Sequence, residues 1–120
     1  MANSEIRATA KYVRISPRKM RQVLSLVRGK SVEETLDLLA LVPKRGAGLL
    51  KKVVESAASN ARQRDANLDP SEMVVSKVWA DTGPRLKRMR PRARFRRDIY
   101  MRPMTHVTVV LSVPEKKASA

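Results

Sequence analysis

Residues 85–102 read RLKRMRPRARFRRDIYMR. The run carries nine cations, Arg85, Lys87, Arg88, Arg90, Arg92, Arg94, Arg96, Arg97 and Arg102, against one acid, Asp98. It therefore nets +8 of the chain's +15 within 18 of its 120 positions. Arg88, Arg90, Arg92, Arg94 and Arg96 share one parity, and Met89, Pro91, Ala93 and Phe95 share the other. Extended backbone would line the guanidinium groups along one edge or face, whereas a helix would scatter them. Pro91 makes a continuous helix costly, and Pro84 and Pro103 punctuate both ends. The prediction is an extended ribbon that folds back near Arg90 to Arg94. At roughly 3.3 Å per residue, with about nine residues in each limb, it would reach about 30 Å. A compact chain of this length has a radius of gyration of about 14 Å, so the ribbon is expected to project beyond the core.

Working outward, Thr105 to Val113 alternates with Val107, Val109, Leu111 and Val113 on one face and His106, Thr108, Val110 and Ser112 on the other, the clearest strand signal in the chain. Met73 to Ala80, rich in valine, predicts its mate. Arg7 to Ile15 shows a weaker period of two. Ser16-Pro17 then joins a hydroxyl cap to a proline suited to the first helical position. Met20, Val23, Leu24 and Val27 follow at helical spacing until Gly29, with Arg18, Arg21 and Arg28 turned away from that stripe and expected to face an anion. Ser31 with Glu34 forms a capping-box pattern for a second helix, which Val42-Pro43 ends. A third helix is expected from about Lys44 to Asp65, with Ala47, Leu50, Val54, Ala57, Ala58 and Ala61 facing the core despite Gly46 and Gly48 near its start.

These elements make one domain, with a core at about 6–82 and 104–113, a basic hairpin at about 83–103, and frayed tails at 1–5 and 114–120. No repeat is present. Cysteine is absent, which removes disulfides, thiolate zinc sites and a cysteine nucleophile. The longest apolar run, Leu38 to Val42, is far too short to span a membrane, and the polar start has no signal-peptide character. The expectation is a soluble, cytoplasmic protein.

His106 is the only histidine, and no nucleophile elbow or glycine-rich phosphate loop accompanies it. Catalysis, metal binding, a cofactor and a small-molecule substrate are therefore not expected. On its strand His106 has the choice of packing, hydrogen bonding or contacting phosphate. Trp79 is most simply an anchor at the base of the ribbon. With few aromatics, Tyr12, Trp79, Phe95 and Tyr100, a platform stacking successive bases is not supported. A net charge of +15 calls for a polyanion. Arginine grips phosphate bidentately and keeps its charge on desolvation, so RNA read by shape and phosphate is the natural partner. A bland reading, a solvated tail or localisation signal, is disfavoured because two strand-like segments clamp the run internally.

The stretches Tyr12-Val13-Arg14-Ile15-Ser16-Pro17-Arg18-Lys19, Arg28-Gly29-Lys30-Ser31, Gly83-Pro84 with Leu86-Lys87-Arg88, Pro91-Arg92-Ala93-Arg94 and Thr105-His106-Val107-Thr108-Val109-Val110 resemble, in order and spacing, the bacterial large-subunit ribosomal protein L-twenty-two family. The resemblance implies an α+β fold, three helices packed on a three-stranded antiparallel sheet, with a long protruding basic β-hairpin that threads through large-subunit (23S) rRNA. It further implies a hairpin tip at Arg90, Pro91, Arg92, Ala93, Arg94 and Phe95 that lines the exit tunnel of the nascent polypeptide. Contacts to rRNA from Arg85, Lys87 and Arg88 on the outgoing limb and from Ser16 to Lys19 on the core follow in the same way. Three sites depart from the family pattern. Arg97, where a small residue is common, adds another phosphate-seeking charge. Phe95 stands where glycine is usual, so it is expected either to adopt ordinary extended angles or to stack on a base or a neighbouring side chain. Pro103-Met104 replaces a short basic and hydroxyl run.

Residues and resemblance together predict a non-enzymatic constituent of the large ribosomal subunit, in contact with rRNA, neighbouring ribosomal proteins and the nascent chain. Its ribosome is expected to be cytoplasmic, an organellar one remaining open. The RNA-binding set is Arg14, Ser16, Arg18, Lys19, Arg21, Arg28, Lys30, the nine cations of residues 85–102, and His106. The rival is an architectural DNA-binding protein using the same basic ribbon. A cationic membrane-surface protein would need a lipid-facing apolar stripe that the ribbon lacks.

Overall fold

A computed structural model describes residues 3–114. The chain runs β1 (Asn3–Val13), α1 (Pro17–Val27), α2 (Val32–Leu41), α3 (Arg45–Arg64), β2 (Val74–Thr82), β3 (Leu86–Pro91), β4 (Arg97–Arg102) and β5 (Thr105–Pro114). This is an α+β fold in which three helices accompany an antiparallel sheet of order β1-β5-β2. A second, two-stranded sheet pairs β3 with β4. The molecule measures 79 × 25 × 20 Å and has a radius of gyration of 18.2 Å, well above the roughly 14 Å of a compact chain this long.

Local chemistry sets the helix ends. Ser16 Oγ accepts from the Lys19 N–H at 3.3 Å, with Pro17 opening α1. Ser31 Oγ accepts from the Glu34 N–H at 3.3 Å. Val42, held extended before Pro43, closes α2. The alternating strand residues place Ile6, Ala8 and Ala10 of β1 beside Leu111, Val109 and Val107 of β5, which in turn face Val75, Val78 and Ala80 of β2. Met20, Val23, Leu24 and Val27 of α1 and Leu50, Val54, Ala57 and Ala61 of α3 bury against that face. At roughly 25 cal/mol per Å² of apolar surface, this burial is the main force holding the body together.

Several boundaries differ from the sequence expectation. Strand β1 begins at Asn3, so residues 3–5 are paired rather than frayed, and β5 extends to Pro114; residues 1–2 and 115–120 lie outside the described residues. The first strand also ends at Val13, because a bulge places Lys11 and Tyr12 opposite the single residue His106. Tyr12 takes a left-handed φ of 59° there, so the period of two cannot run on through it. Edge strand β2 is closed along its length. Gly29 donates to Val75 O and Lys30 O accepts from Val75 N, both at 2.9 Å, and Val32 donates to Met73 O. Further along, Arg28 Nη2 donates to Val78 O at 3.1 Å and Arg21 Nη2 to Ala80 O at 3.0 Å. These donors occupy an edge that would otherwise invite pairing with another chain.

Candidate nucleic-acid interface

Register sorts the ribbon's side chains between two faces. Leu86 lies opposite Arg102, Arg88 opposite Tyr100 and Arg90 opposite Asp98; these pairs share one face. Lys87 opposite Met101, Met89 opposite Ile99 and Pro91 opposite Arg97 share the other. The basic parity foreseen for Arg88 and Arg90 therefore holds on β3 and is interrupted past it. Residues 92–96 form the turn, with Arg92 N donating to Arg96 O and Arg96 N to Ala93 O. The fold-back centres on Arg94, nearer the C-terminal limb than expected. Arg97 joins the apolar face, where its Nη1 meets Met89 Sδ at 3.4 Å.

Phe95 does not take the extended angles expected of it: its φ is 59°, beside an Arg94 at 58°, and its ring, fully exposed at 107%, rests on no side chain among the described residues, which leaves stacking on a base as the other expectation. The turn geometry that glycine would adopt freely is kept here by two residues that pay about 1 kcal/mol or more apiece for it. The other aromatics are engaged. Tyr100 lies between the guanidinium groups of Arg90 and Arg102, at 5.0 and 5.1 Å. Trp79 is half-buried under Arg7 at 5.8 Å and donates to Asp81 Oδ2. Tyr12 meets His106 edge-on at 5.0 Å. A platform of open rings is absent among the described residues, and phosphate-directed charge remains.

Every residue from Arg85 to Arg102 is exposed except half-buried Leu86 and Tyr100. The one ion pair here, Arg92 Nε to Asp98 Oδ2 at 2.7 Å, joins two side chains more than half exposed and contributes little. Among the described residues the ribbon's charges are thus almost wholly uncompensated. At its root, Gly83 N donates to Met104 O at 2.9 Å. A Cβ on Gly83 would stand 3.1 Å from the Met104 carbonyl and 3.3 Å from His106 Cε1, so only glycine lets the outgoing and returning strands close this tightly.

On the body, the predicted residues divide. Arg14, Ser16 and Lys19 line a cavity of about 240 Å³ together with Ile15, Arg45, Arg102 and Pro103. Arg18 is exposed on α1 and Lys30 is exposed beyond its end. Arg21 and Arg28, expected to face an anion, are exposed, and each directs one N–H to an edge carbonyl of β2, Ala80 O and Val78 O. Lys30, Arg28 and Arg21 follow β2 in the order Val75, Val78, Ala80, towards the ribbon. His106 accepts from Tyr12 N through Nδ1 at 3.1 Å, so its first role is to hold the bulge, and its Nε2 carries the remaining hydrogen-bonding capacity. Arg45 was missed by sequence reasoning. It opens a helix that starts without a side-chain cap, and nothing in local spacing brings it to Arg102.

Among the described residues no group of acids and histidine could hold a metal ion, and no helix is long and apolar enough to cross a membrane. The family model described as ribosomal protein L22p/L17e matches residues 8–112. The chain is 50% identical over 108 residues to large ribosomal subunit protein uL22 of Desulforamulus reducens, covering 90% of this chain and 95% of that one. It is 47% identical over 116 residues to the protein of the same name from Pseudothermotoga lettingae, covering 97% and 83%. Against that of Thermoanaerobacter sp. strain X514 the identity is 46% over 111 residues, covering 92% and 99%.

Proposed function

The chain belongs to the ribosomal protein L22p/L17e family, and from that premise we propose that its basic ribbon reaches between rRNA helices and presents its tip to the nascent polypeptide in the exit tunnel. The family is structural and non-enzymatic, and the chain is a constituent of the large ribosomal subunit. Its partners are rRNA and other ribosomal proteins, and its place is on the ribosome, in this reading a cytoplasmic one.

The observation that carries the proposal is the ribbon itself, a two-stranded sheet whose cations are exposed and matched by a single acid. Such a ribbon has no core of its own and repels itself, so an external polyanion must neutralise it. Phosphates crowd where RNA helices converge, and cations inserted there would let the helices approach during assembly. Arg85, Lys87, Arg88, Arg90, Arg94, Arg96 and Arg97 supply that charge along the ribbon. Arg14, Arg18, Lys19, Lys30 and Arg102 continue it onto the body, with Ser16 and His106 as polar contacts. Arg21 and Arg28 retain donors beyond those given to β2. The turn at 92–96, with Pro91 and Phe95, forms the tunnel-facing end.

Two measurements test this. After a high-salt wash and a sucrose gradient, the protein should travel with large subunits; its release into the light fractions would defeat the ribosomal assignment. A photo-crosslinker replacing Ala93 should capture nascent chains on translating ribosomes. Crosslinks to RNA alone would remove the tunnel role and leave the rRNA role standing.

A further inference from the structure

The cavity at the root of the ribbon gathers cations that lie far apart in sequence: Arg14 from the β1–α1 link, Lys19 from the first turn of α1, Arg45 from the first position of α3, and Arg102 from the end of β4. Among the described residues no carboxylate lines it. Two contacts preform this arrangement, and both converge on buried Ile15. Thr105 Oγ1 donates to Ile15 O at 2.6 Å, which ties the returning end of the ribbon to the β1–α1 link. Gly46 is buried against α1, where an added Cβ would meet Val23 Cγ2 at 3.1 Å and Ile15 Cδ1 at 3.3 Å. Its missing side chain lets α3 begin close enough for Arg45 to reach the cavity. At about 240 Å³ the cavity is far larger than one water needs, with room for a tetrahedral anion and part of its hydration. Four like charges around that space are costly until an anion enters.

We propose that Arg14, Lys19, Arg45 and Arg102 close on one backbone phosphate of RNA, and that this shared anion fixes the direction in which the ribbon leaves the body. The inference rests on the rRNA-binding reading and adds to it a discrete seat and a mechanical consequence. Three of the cations belong to the body and Arg102 belongs to the ribbon, so a phosphate bound by all four joins the two parts. Arg45 becomes a ligand rather than a solvated helix-start residue.

The full-length protein can be titrated with inorganic phosphate, ionic strength being held constant with chloride, while backbone amide resonances are followed. Saturable shifts are expected at the amides of residues 14–16, 18, 19, 45, 46 and 102, with a dissociation constant on the order of 1 mM. Arg45→Ala should weaken this binding at least about threefold, and Arg64→Ala, at the far end of α3, should leave it unchanged. Because the chain has no cysteine, Lys87→Cys with Glu55→Cys can carry paired spin labels, and their distance distribution should narrow on phosphate saturation. Shifts that stay linear in phosphate, that are equally large along residues 88–97, or that ignore Arg45→Ala would overturn the seat. An unchanged distance distribution would overturn the coupling to ribbon direction. If the wild-type protein binds phosphate as described yet fails to bind a large-subunit rRNA fragment, the functional reading falls and the seat stands. If rRNA binds wild type, Arg45→Ala and Arg102→Ala equally well, the seat falls and the functional reading stands.

Discussion

The two sheets of this protein use the same antiparallel ladder for opposite ends. In the β1-β5-β2 sheet, one face is closed by α1 and α3, with α2 packed on α3, and its residues, from Ile6 to Leu111, are nearly all out of water. In the β3-β4 ribbon, Met89, Ile99 and Met101 on one face and Arg88 and Arg90 on the other remain in solvent. Backbone pairing is common to both. What differs is the burial that must offset conformational entropy, and an isolated two-stranded ribbon has too little of it. The body thus carries the packed core, and the ribbon carries exposed charge.

The largest expected effect comes from removing the ribbon's charge alone. With Arg88, Arg90, Arg94, Arg96 and Arg97 replaced by Gln, the dependence of log affinity for rRNA on log salt should lose about 3.5 to 4.5 of its slope, and binding near 0.1 M salt should weaken about 10³- to 10⁴-fold. The melting temperature should move by less than about 2 °C. A large fall in thermal stability would show that the ribbon supports the body, and the contrast drawn above would fail.

Gly83→Ala probes the junction between the regions. Its Cβ would press on the Met104 carbonyl and on His106, and overpacking of this kind costs about 1 to 2 kcal/mol. Calorimetry should show a melting temperature lower by roughly 5 to 10 °C. An unchanged value would mean that the strands can spread at the root without cost to the body.

The smallest effect sharpens the distinction within one residue type. Arg28→Ala deletes the donor to Val78 O on the edge of β2 and should cost about 1 kcal/mol in chemical denaturation. Arg88→Ala, whose side chain among the described residues bonds its neighbour Lys87 O alone, should leave stability unaltered and lower the salt slope by about 0.7 to 0.9. If Arg88→Ala lowers stability and leaves the salt slope unchanged, the ribbon arginine is structural and the distinction fails.

Much of this division was legible in the chain itself, and for local reasons. Ser16-Pro17 and Ser31 start helices because their hydroxyl groups reach N–H groups three residues on. Val107 to Val113 declares a strand because alternation needs no partner to be visible. Proline at 84, 91 and 103 and the density of arginine between them forced an extended, self-repelling segment before any fold was known. Tertiary structure alone decided the rest, since each such feature joins residues that sequence spacing cannot relate. The bulge at Tyr12 arises from its register against His106, 94 residues on. The partners of Arg21 and Arg28 are carbonyls some 50 to 59 positions away. The cavity at the ribbon's root exists because the start of α3 and the start of β5 both meet Ile15, while Gly46 of α3 packs on Val23 of α1. Periodicity and capping are written within a turn or two of backbone, whereas the meeting of distant charges is fixed only when burial of the core sets which chain segments cross.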